Sequence, residues 1–547
     1  LSNFSEVTLE NSSVTLHDFN RTGNYKNIGK YDIGSDSTLT LDATKKYTVS
    51  AQFSGSGNLV FSGNAIHSIK AEATSFEGKL SISAGTTLDM QGSFLSTTVD
   101  KAEVSVEAGG TLQFSKKTVE LKSKLTGDAG SVVSAKDIAL TVSGDITGFH
   151  GTFSASGKGS LTLKSDLDDE AITALNLHFD GKKTGSIILA SDPEEAVDLN
   201  ISGTAGKLYL QGHLYNIKTN SAEQLTVYGG GTNLVIDFDP ASNVMIENVI
   251  GGTDSQSIDM SSYKTVVKNG IINNIYGGGE SMQVAWSGAV SSTLDLEGGI
   301  INYVYGGNKG FVGSAAAGDV TLNLSGATVN KDVYGGGYVC TNGMSASAAS
   351  VTIHFTAGTV YGNIYGGGRV HPSYTVYYKD YDTGTIREST SVATSSVSGN
   401  VQITLEGGAN AFGNIYINGS AGQGKTYIDG EDNFIKLSKV YYEHEEPVDP
   451  EKPEEGNQTV PTSALAGFTG LLKGNYRSSD GKSHKGELIF SDYQVEFLGR
   501  IDGFEQLTVT DQSNLTLNWD QASKRYKNIG IFQIDEESTL SITATQK

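Results

Sequence analysis

The chain has 547 residues, of which 68 are glycine, 7 are proline and one is cysteine, and its formal net charge is −22. One cysteine excludes a disulfide scaffold and a cysteine-ligated metal site, and the acidic excess argues against nucleic acid or an anionic membrane as a partner. Glycine is abundant without the Gly-X-Y period of collagen, and 25 tyrosines and 20 phenylalanines make the chain too apolar for a disordered protein. We expect an ordered protein rich in strands and turns.

Short alternating segments, interrupted by glycine, asparagine, aspartate or serine, run through the first part of the chain. Residues 79–90 (KLSISAGTTLDM) are one example, and this alternation predicts strands. The one stretch with a helical pattern is 166–177 (DLDDEAITALNL), which is acidic in its first turn. Strands this short and this numerous are typical of a sandwich series, a barrel or a solenoid.

A recurring Tyr-Gly-Gly unit in the middle third favours the solenoid. Its full copies place tyrosines 29, 29 and 31 residues apart, and a degenerate copy follows at Tyr416. The repeat-defining tyrosines of the full copies are Tyr276, Tyr305, Tyr334 and Tyr365. Earlier copies are predicted at 227–231 (VYGGG) and 249–252 (VIGG). Such units stack about 4.8 Å apart as parallel strands, with Gly-Gly supplying a positive φ or a close backbone approach at the corners. The stacked tyrosines would form a ladder, either inside the coil or along one surface.

An insertion at 371–390 lengthens the interval before Tyr416. It is rich in tyrosine and also carries lysine and arginine, which suits a contact with carbohydrate or protein. A plain surface loop is the alternative. The candidate contact residues are Tyr374, Tyr377, Tyr378, Lys379, Tyr381 and Arg387.

Residues 419–426 (GSAGQGKT) match the phosphate-binding P-loop pattern. That loop requires a helix directly after it, whereas the following residues alternate like a strand, so we interpret the match as a glycine-rich turn. The nine histidines are scattered and show no paired metal-ligand spacing. We therefore predict no catalytic residue, no metal and no cofactor.

Two features indicate how the chain is divided. Residues 442–461 hold 4 of the 7 prolines and seven acidic residues, a composition typical of an extended spacer. Residues 524–547 match residues 23–46 at 12 of 24 positions with a constant offset of 501, and a one-residue slip extends the match upstream. The predicted domains are a β-helix over 1–441 (with different repeats in 1–220 and 221–441), a linker over 442–461, and the first rungs of the next repeat over 462–547.

Phrases in the first part of the chain carry a resemblance to a known family. Residues 76–80 (FEGKL) and 149–153 (FHGTF) each lead into an alternating strand, and 108–114 (AGGTLQF) belongs to the same set. Here the chain resembles the passenger regions of bacterial autotransporters and filamentous-haemagglutinin-like adhesins over most of 50–420. The resemblance implies an all-β, right-handed parallel β-helix that is exported to the bacterial cell surface or the extracellular space.

Three hypotheses for function follow. The favoured one is a structural and adhesive repeat unit of a large secreted surface fibre, without catalysis. Its partners would be neighbouring repeats or subunits of the same protein, joined head to tail, and host or bacterial surface glycans or proteins. The alternative is a polysaccharide-binding or polysaccharide-degrading β-helix enzyme, and a third is a phage tailspike-like protein. The first methionine is Met90 and no apolar run approaches about 18 residues, so we expect a processed piece of a longer protein that does not itself enter a membrane.

Overall fold

The fold is all-β and is a solenoid of stacked parallel strands, a parallel β-helix. A computed structural model of the chain divides it into two contact-dense units, Leu1–Val227 and Tyr228–Lys547. The residues that it describes are 1–17, 25, 27–70, 75–92, 94–97, 102–164, 175–190, 197–210, 215–219, 223–230, 234–237, 245–252, 262–281, 286–310, 315–341, 344–374, 377–379, 386–388, 392–422, 424–446, 458–460, 462–520 and 525–545.

Unit 1 consists of three sheets in which every described strand pairing is parallel. The first two sheets hold Glu6–Leu9, Lys30–Ile33 and Gln52–Gly55, and then Ser13–Leu16, Thr38–Asp42, Asn58–Ser62, Lys79–Ile82, Glu103–Val106, Lys124–Gly127 and Gly148–Phe149. The third sheet holds Tyr47–Val49, Ile66–Ile69, Thr87–Met90, Thr111–Phe114, Val119–Leu121, Val132–Lys136, Ala139–Val142, Thr152–Ser156, Ser160–Leu163, Asn176–Leu189, Val197–Leu210 and Tyr215–Thr219, with Glu223–Tyr228 at the boundary.

The core of unit 1 is built from ladders of apolar side chains at equivalent positions of successive rungs. One ladder runs through the second sheet and is wholly buried. Its members are Leu39, Leu59, Leu80, Val104 and Leu125. Alternation puts every second residue inside, so each rung adds to the same apolar column. This stacking is what the short alternating segments predict.

Helix is scarce among the described residues. A single turn at Phe94–Thr97 buries Phe94, whose ring lies 5.5 Å from that of Phe53, and a 3₁₀ turn spans Ala464–Gly467. The helix predicted for 166–177 is wrong at its end, because Asn176 and the residue after it begin a strand that pairs with Thr152–Ser156. Residues 165–174 lie outside the described part of the chain.

Unit 2 has two long parallel sheets, a short group of strands that is joined to them by pairing with Ala315–Leu324, and two short separate parallel sheets. The long sheets hold Leu234–Ile236, Ser262–Val267, Trp286–Leu296, Ala315–Leu324, Ser350–Val360, Val401–Ala411, Phe434–Val440, Glu487–Tyr493, Gln506–Thr510 and Ile531–Ile534, and then Met245–Ile250, Ile271–Tyr276, Ile300–Tyr305, Thr328–Val329, Val333–Tyr334, Ile364–Tyr365, Ile415–Tyr416, Leu471–Lys473, Arg500–Asp502 and Tyr526–Lys527. The shorter groups are Glu280–Ser281, Lys309–Gly310, Tyr338–Thr341 and Arg369–Tyr374; Ser345–Ala348, Thr394–Val397 and Lys425–Ile428; and Glu496–Phe497, Asn514–Asp520 and Thr539–Thr545.

Three antiparallel hairpins project from the parallel strands of unit 2. They are Tyr377–Lys379 with Ile386–Glu388, His444–Glu446 with Gln458–Val460, and Asn475–Arg477 with Ser483–Lys485. Each hairpin interrupts the coil between two rungs and leaves the parallel pairing on either side in place.

The predicted linker at 442–461 contains the second of these hairpins. The strand before it, Phe434–Val440, pairs directly and in parallel with the strand after it, Glu487–Tyr493. The ends of the segment pair with each other, with His444 opposite Val460. Phe434–Val440 and Glu487–Tyr493 are therefore consecutive rungs of unit 2. The rest of the predicted linker, 447–457 and 461, lies outside the described residues.

One apolar ladder runs through ten rungs of unit 2 in unbroken register. Its members, in order, are Ile236, Val267, Leu296, Leu324, Phe355, Leu405, Leu437, Phe490, Val509 and Ile534. The first nine are buried, and Ile534, in the last rung, is 44% exposed.

Asparagine side chains also form ladders along unit 2. The Asn302 amide donates to Asn273 Oδ1 at 2.9 Å, and the Asn330 amide donates to Asn302 Oδ1 at 3.2 Å. In a second ladder, Asn363 Oδ1 accepts from the backbone N–H of Asn414 at 2.9 Å. Identical amides stacked at the strand spacing satisfy one another's hydrogen bonds, which ties consecutive rungs together.

Candidate functional site

The tyrosines of the Tyr-Gly-Gly unit stack on one another in register, forming the tyrosine ladder of Tyr276, Tyr305, Tyr334, Tyr365 and Tyr416. Neighbouring ring centroids are 4.8, 5.2, 5.0 and 4.9 Å apart, with interplanar angles of 7°, 6°, 5° and 8°. The first three tyrosines are buried and the last two are half-buried. The sequence left open whether the ladder is internal, and the structure places most of it inside the protein.

The predicted earlier copy at 249–252 lies in the same register. Ile250 pairs with Tyr276, so an isoleucine takes the place of tyrosine one rung before the tyrosine ladder begins. Gly229 N–H also donates to the Ile250 carbonyl oxygen at 2.7 Å, as expected of the copy that begins at Val227.

The fourth residue after each tyrosine forms a second ladder beside the first, which we call the mixed ladder. Its members are Glu280, Lys309, Tyr338, Arg369 and Ser420. It covers the tyrosine rings with cations and a further aromatic ring. All five residues lie four positions after a ladder tyrosine, and this spacing is visible in the sequence. Because the residue type differs at every rung, we predicted no role for them from the sequence.

Arg369, in the mixed ladder, contacts four tyrosines. Its guanidinium carbon lies 5.0 Å from the ring centroid of Tyr303, 5.7 Å from that of Tyr334 and 5.6 Å from that of Tyr338. Its Nη1 donates a hydrogen bond to the Tyr305 hydroxyl at 2.8 Å. Guanidinium groups bind the negative faces of aromatic rings most strongly when desolvated, so Arg369 holds the rungs of the tyrosine ladder together.

Lys309 and Glu280 form a buried ion pair at the start of the mixed ladder. The Lys309 Nζ lies 2.7 Å from Glu280 Oε1 and 5.4 Å from the ring centroid of Tyr276. The Tyr228 hydroxyl donates to Glu280 Oε2 at 2.6 Å. A buried carboxylate is stable when a cation and hydrogen-bond donors surround it. Lys309 and Tyr228 therefore stabilise the charge of Glu280 inside the protein.

Burial raises the pKa of four ladder tyrosines, Tyr276, Tyr305, Tyr334 and Tyr365. The pKa values of Tyr276, Tyr305 and Tyr334 all lie above the usual value because desolvation disfavours the phenolate. At half-buried Tyr365 the same cause raises the pKa to about 12. These four tyrosines therefore stay neutral well above physiological pH.

The glycine that follows each of the first four ladder tyrosines is required by close packing. A Cβ on Gly306 would collide with the carbonyl oxygen of Gly335, and one on Gly335 would collide with that of Gly366. Neither residue has a positive φ. Of the two reasons that the sequence offered for Gly-Gly, close backbone approach is the one that applies here.

The predicted contact residues of the insertion lie on a short strand and on the hairpin after it. Tyr374 ends the strand Arg369–Tyr374, which belongs to the mixed ladder. In the hairpin, Tyr377 lies opposite Glu388 and Tyr378 lies opposite Arg387, and the third pair includes Lys379. Tyr381 lies outside the described residues. Their role as a contact surface stays a prediction.

An open groove lies where the tyrosine ladder becomes partly exposed, and we call it the ladder-end groove. It has a volume of about 640 Å³. Its lining residues are Tyr365, Tyr416, Asn418, Gly419, Lys473, Asn475, Tyr476, Arg477 and Ser483. The hairpin of Asn475–Arg477 and Ser483–Lys485 supplies four of them. Among the described residues, two cations and no carboxylate line this groove, although acidic residues outnumber basic ones in the chain by 61 to 39.

Tyr476 anchors that hairpin to the coil. Its ring is buried and stacks on the His484 ring, with centroids 5.4 Å apart and planes 18° from parallel. Its hydroxyl donates to the Gly430 carbonyl oxygen at 3.2 Å. Because the hairpin is fixed at this point, Arg477 is held at the edge of the ladder-end groove.

A second groove of about 480 Å³ shares Tyr476 with the ladder-end groove and contains acidic and basic residues together. Its charged residues are Asp429, Glu431, Asp480, Lys482, His484, Lys485 and Glu505. The Lys482 Nζ lies 2.6 Å from Asp480 Oδ2. Hydrogen bonds from Lys482 and Ser478 hold the pKa of Asp480 well below its usual range. Both side chains are exposed, so this is a surface ion pair.

The P-loop match is followed by a strand. Lys425–Ile428 pairs in parallel with Thr394–Val397, where a phosphate-binding loop would require a helix. Within the described ranges no group of three or more histidine, cysteine, aspartate or glutamate residues is arranged to hold a metal ion.

The repeated block has the same pairing at both ends of the chain. Lys30–Ile33 and Thr38–Asp42 pair with Glu6–Leu9 and Ser13–Leu16. The matching strands pair in the same way, Ile531–Ile534 with Gln506–Thr510 and Thr539–Thr545 with Asn514–Asp520.

The one-residue slip in the sequence match falls in the turn between the paired strands. Asn11 has a positive φ of 44°, whereas two adjacent residues, Asp511 and Gln512, have values of 58° and 60° in the second copy. The longer turn absorbs the extra residue without shifting the strands on either side.

The two copies differ in what covers them. Leu41 is fully buried, and its counterpart Ile542 is 48% exposed. At the other end the order is reversed, since Phe4 is 48% exposed and its counterpart Phe504 is fully buried. Among the described residues, the first copy lacks a preceding rung and the second copy lacks a following one.

These features define a class, a parallel β-helix protein with an internal tyrosine ladder. No family model, curated protein or solved structure matches the chain. In the described part of the chain, none of the helices has the length and apolar character needed to cross a membrane.

Proposed function

We propose that the chain is a structural and adhesive repeat unit of a large secreted fibre on a bacterial cell surface. In this proposal each repeat continues the strand stacking of the one before it. The partners along the fibre are neighbouring repeats of the same protein, head to tail, and the side surfaces contact glycans or proteins.

The observation that carries the proposal is the repeated block, whose two copies pair with the rung before them in the same register. In the first copy, Ile33 and Leu41 are fully buried where a rung follows. The matching Ile534 and Ile542 keep the same apolar pattern. A sequence that repeats an apolar pattern, and buries it where a rung follows, is adapted to continued stacking.

The mixed and tyrosine ladders support a load-bearing role. Stacked rings, Arg369 and the asparagine ladders connect each rung to the next through side chains as well as backbone. The net charge of −22 would keep long fibres soluble and mutually repelling. Export to the cell surface rests on the resemblance to adhesin passenger regions.

The second candidate function, polysaccharide degradation, has one observation in its favour. The second groove gathers carboxylates beside lysines, as such enzymes require. Against it, Asp480 already forms an ion pair with Lys482 at 2.6 Å, on the exposed surface of the groove. The fibre proposal accounts for more of the molecule.

A doubled chain tests the proposal. In this chain, residues 47–547 follow Lys547, so that the repeated block is shared between two repeats. Small-angle X-ray scattering should show one particle of unchanged cross-section that is longer by a full repeat. A matched control carries Ile534→Asp and Ile542→Asp at the internal junction only and should show a flexible joint. Two bodies that move independently without those substitutions would contradict the proposal.

A further inference from the structure

We propose that the ladder-end groove binds a saccharide that carries a carboxylate, such as a uronate or a sialate. The inference deepens the adhesive part of the proposed function and rests on it for the biological setting. The geometry that carries it lies entirely within unit 2 and is separate from the terminal rung.

The lining of the ladder-end groove is positively charged. Lys473 and Arg477 both line the ladder-end groove, and neither makes an ion pair with a carboxylate among the described residues. The neighbouring groove differs, since its Lys482 is paired with Asp480 at 2.6 Å. Lys473 lies opposite Asp502 of the next rung, so exposed Arg477 is the stronger of the two positive charges. Its planar guanidinium can bind a carboxylate through two parallel hydrogen bonds, which favours an anionic ligand.

Aromatic rings and neutral polar groups also line the groove. Tyr365 and Tyr416 are half-buried, and their parallel rings, 4.9 Å apart, reach the groove at the end of the tyrosine ladder. Asn418 and Ser483 supply amide and hydroxyl groups that can exchange hydrogen bonds with sugar hydroxyls. An amphipathic ring surface beside such groups suits a sugar better than an acidic peptide, whose carboxylates need cations alone.

The ladder-end groove has the size of a small-ligand site and is built on rigid elements. A volume of about 640 Å³ is within the usual range for small-ligand sites and accommodates one or a few sugar units. The floor consists of rungs in fixed register, with Tyr416 paired to Lys473. The wall is a hairpin anchored by buried Tyr476. A site held by such elements is preorganised, so little ordering is needed on binding.

The described residues that line the groove include no carboxylate, which favours binding without cleavage. Hydrolysis of glycosidic bonds ordinarily uses a pair of carboxyl groups. We infer that the bound saccharide leaves the groove unchanged.

Calorimetric titration of the full chain tests the inference with four probes. These are an oligogalacturonate, a sialyllactose, a neutral malto-oligosaccharide and a penta-glutamate peptide. At least one acidic sugar should bind about tenfold or more tightly than the neutral sugar and the peptide, and added salt should weaken that binding. Comparison of the oligogalacturonate with the sialyllactose shows whether the groove prefers a uronate, as in plant polysaccharides, or a sialate, as in animal glycans.

Two variants localise the binding. Arg477→Gln should weaken the acidic sugar about tenfold or more, because it removes an exposed charge without disturbing the core. Lys482→Gln is the matched control in the neighbouring groove and should leave binding unchanged. Equal binding of neutral and acidic sugars, tighter binding of the peptide, absence of binding to either acidic sugar, or an unaffected Arg477→Gln variant would each overturn the inference. Scattering from the doubled chain is independent of all these outcomes, so the two proposals can fail separately.

Discussion

Ile33 and Ile534 occupy the same position of the repeated block, yet Ile33 is fully buried and Ile534 is 44% exposed. Each pairs with the rung before it, Ile33 with Leu9 and Ile534 with Val509. Ile33 also pairs with Gly55 of the following rung, whereas the described residues place no strand beyond Ile534. The difference in exposure is therefore the contribution of one additional rung.

Alanine substitutions at these two positions should have unequal effects. Ile33→Ala removes buried methyl groups and leaves a cavity, which should lower the free energy of unfolding by about 2–5 kcal/mol. Ile534→Ala should cost less than about 1 kcal/mol, because much of its side chain is already in water. Urea denaturation of the two variants and the parent chain measures both values. Equal losses would contradict the burial difference.

The tyrosine ladder should tolerate loss of a hydroxyl better than loss of a ring. Tyr305→Ala opens a gap between the rings of Tyr276 and Tyr334 and should destabilise unit 2 by about 3–5 kcal/mol. Tyr305→Phe keeps the stack and removes only the hydrogen bond from Arg369, which should lower the free energy of unfolding by about 1–3 kcal/mol. Thermal unfolding followed by near-ultraviolet circular dichroism separates the two. A phenylalanine variant as unstable as the alanine variant would show that the hydroxyl, not the stacking, dominates.

Alkaline pH should destabilise the fold. Burial raises the pKa of Tyr276, Tyr305, Tyr334 and Tyr365 in the folded state, to about 12 at Tyr365. The unfolded chain therefore releases these phenol protons first as the pH rises. Their contribution to stability is complete below the unfolded pKa of about 10 and is lost as the pH rises through the folded values. Melting temperatures and tyrosinate absorbance across this range measure the effect. Ionisation of all tyrosines near pH 10 in the folded chain would refute it.

The close backbone approach at the Tyr-Gly-Gly corners should make glycine irreplaceable there. Gly335→Ala places a methyl group against Val351 and the Gly366 carbonyl oxygen, and it should reduce stability by about 1–3 kcal/mol or more. Gly467→Ala is the control, since an added Cβ there meets nothing within 4 Å. Urea midpoints of both variants decide the matter, and a neutral Gly335→Ala would show that the rungs can separate at little cost.

The sequence predicts the fold well where the residues repeat with the rungs. Alternation predicts the strands, and the spacing of Tyr276, Tyr305, Tyr334 and Tyr365 predicts a stacked ladder because identical residues recur at one position. The direct pairing of Phe434–Val440 with Glu487–Tyr493 was less predictable, since composition predicts an extended segment but does not show that the strands on either side of it pair.

The candidate site was predictable only in part. The ladder-end groove combines Tyr416, in the last copy of the Tyr-Gly-Gly repeat, with Lys473 and Arg477. The latter two residues follow the predicted linker and belong to no copy of the repeat. Only strand register brings them together, and register is a property of the coil rather than of any short segment. The mixed ladder was missed for a different reason, because its shared position carries a different residue in each rung.

Hydrogen exchange at Ile531–Ile534 tests the central claim most directly. Residues 47–92, which follow the first copy of the block, are appended after Lys547, and amide exchange in the last rung is compared with that of the parent chain. The account predicts that the appended segment folds onto the terminal rung and that the amides of Ile531–Ile534 become strongly protected. Unchanged exchange at these amides, with an unprotected appended segment, would contradict it.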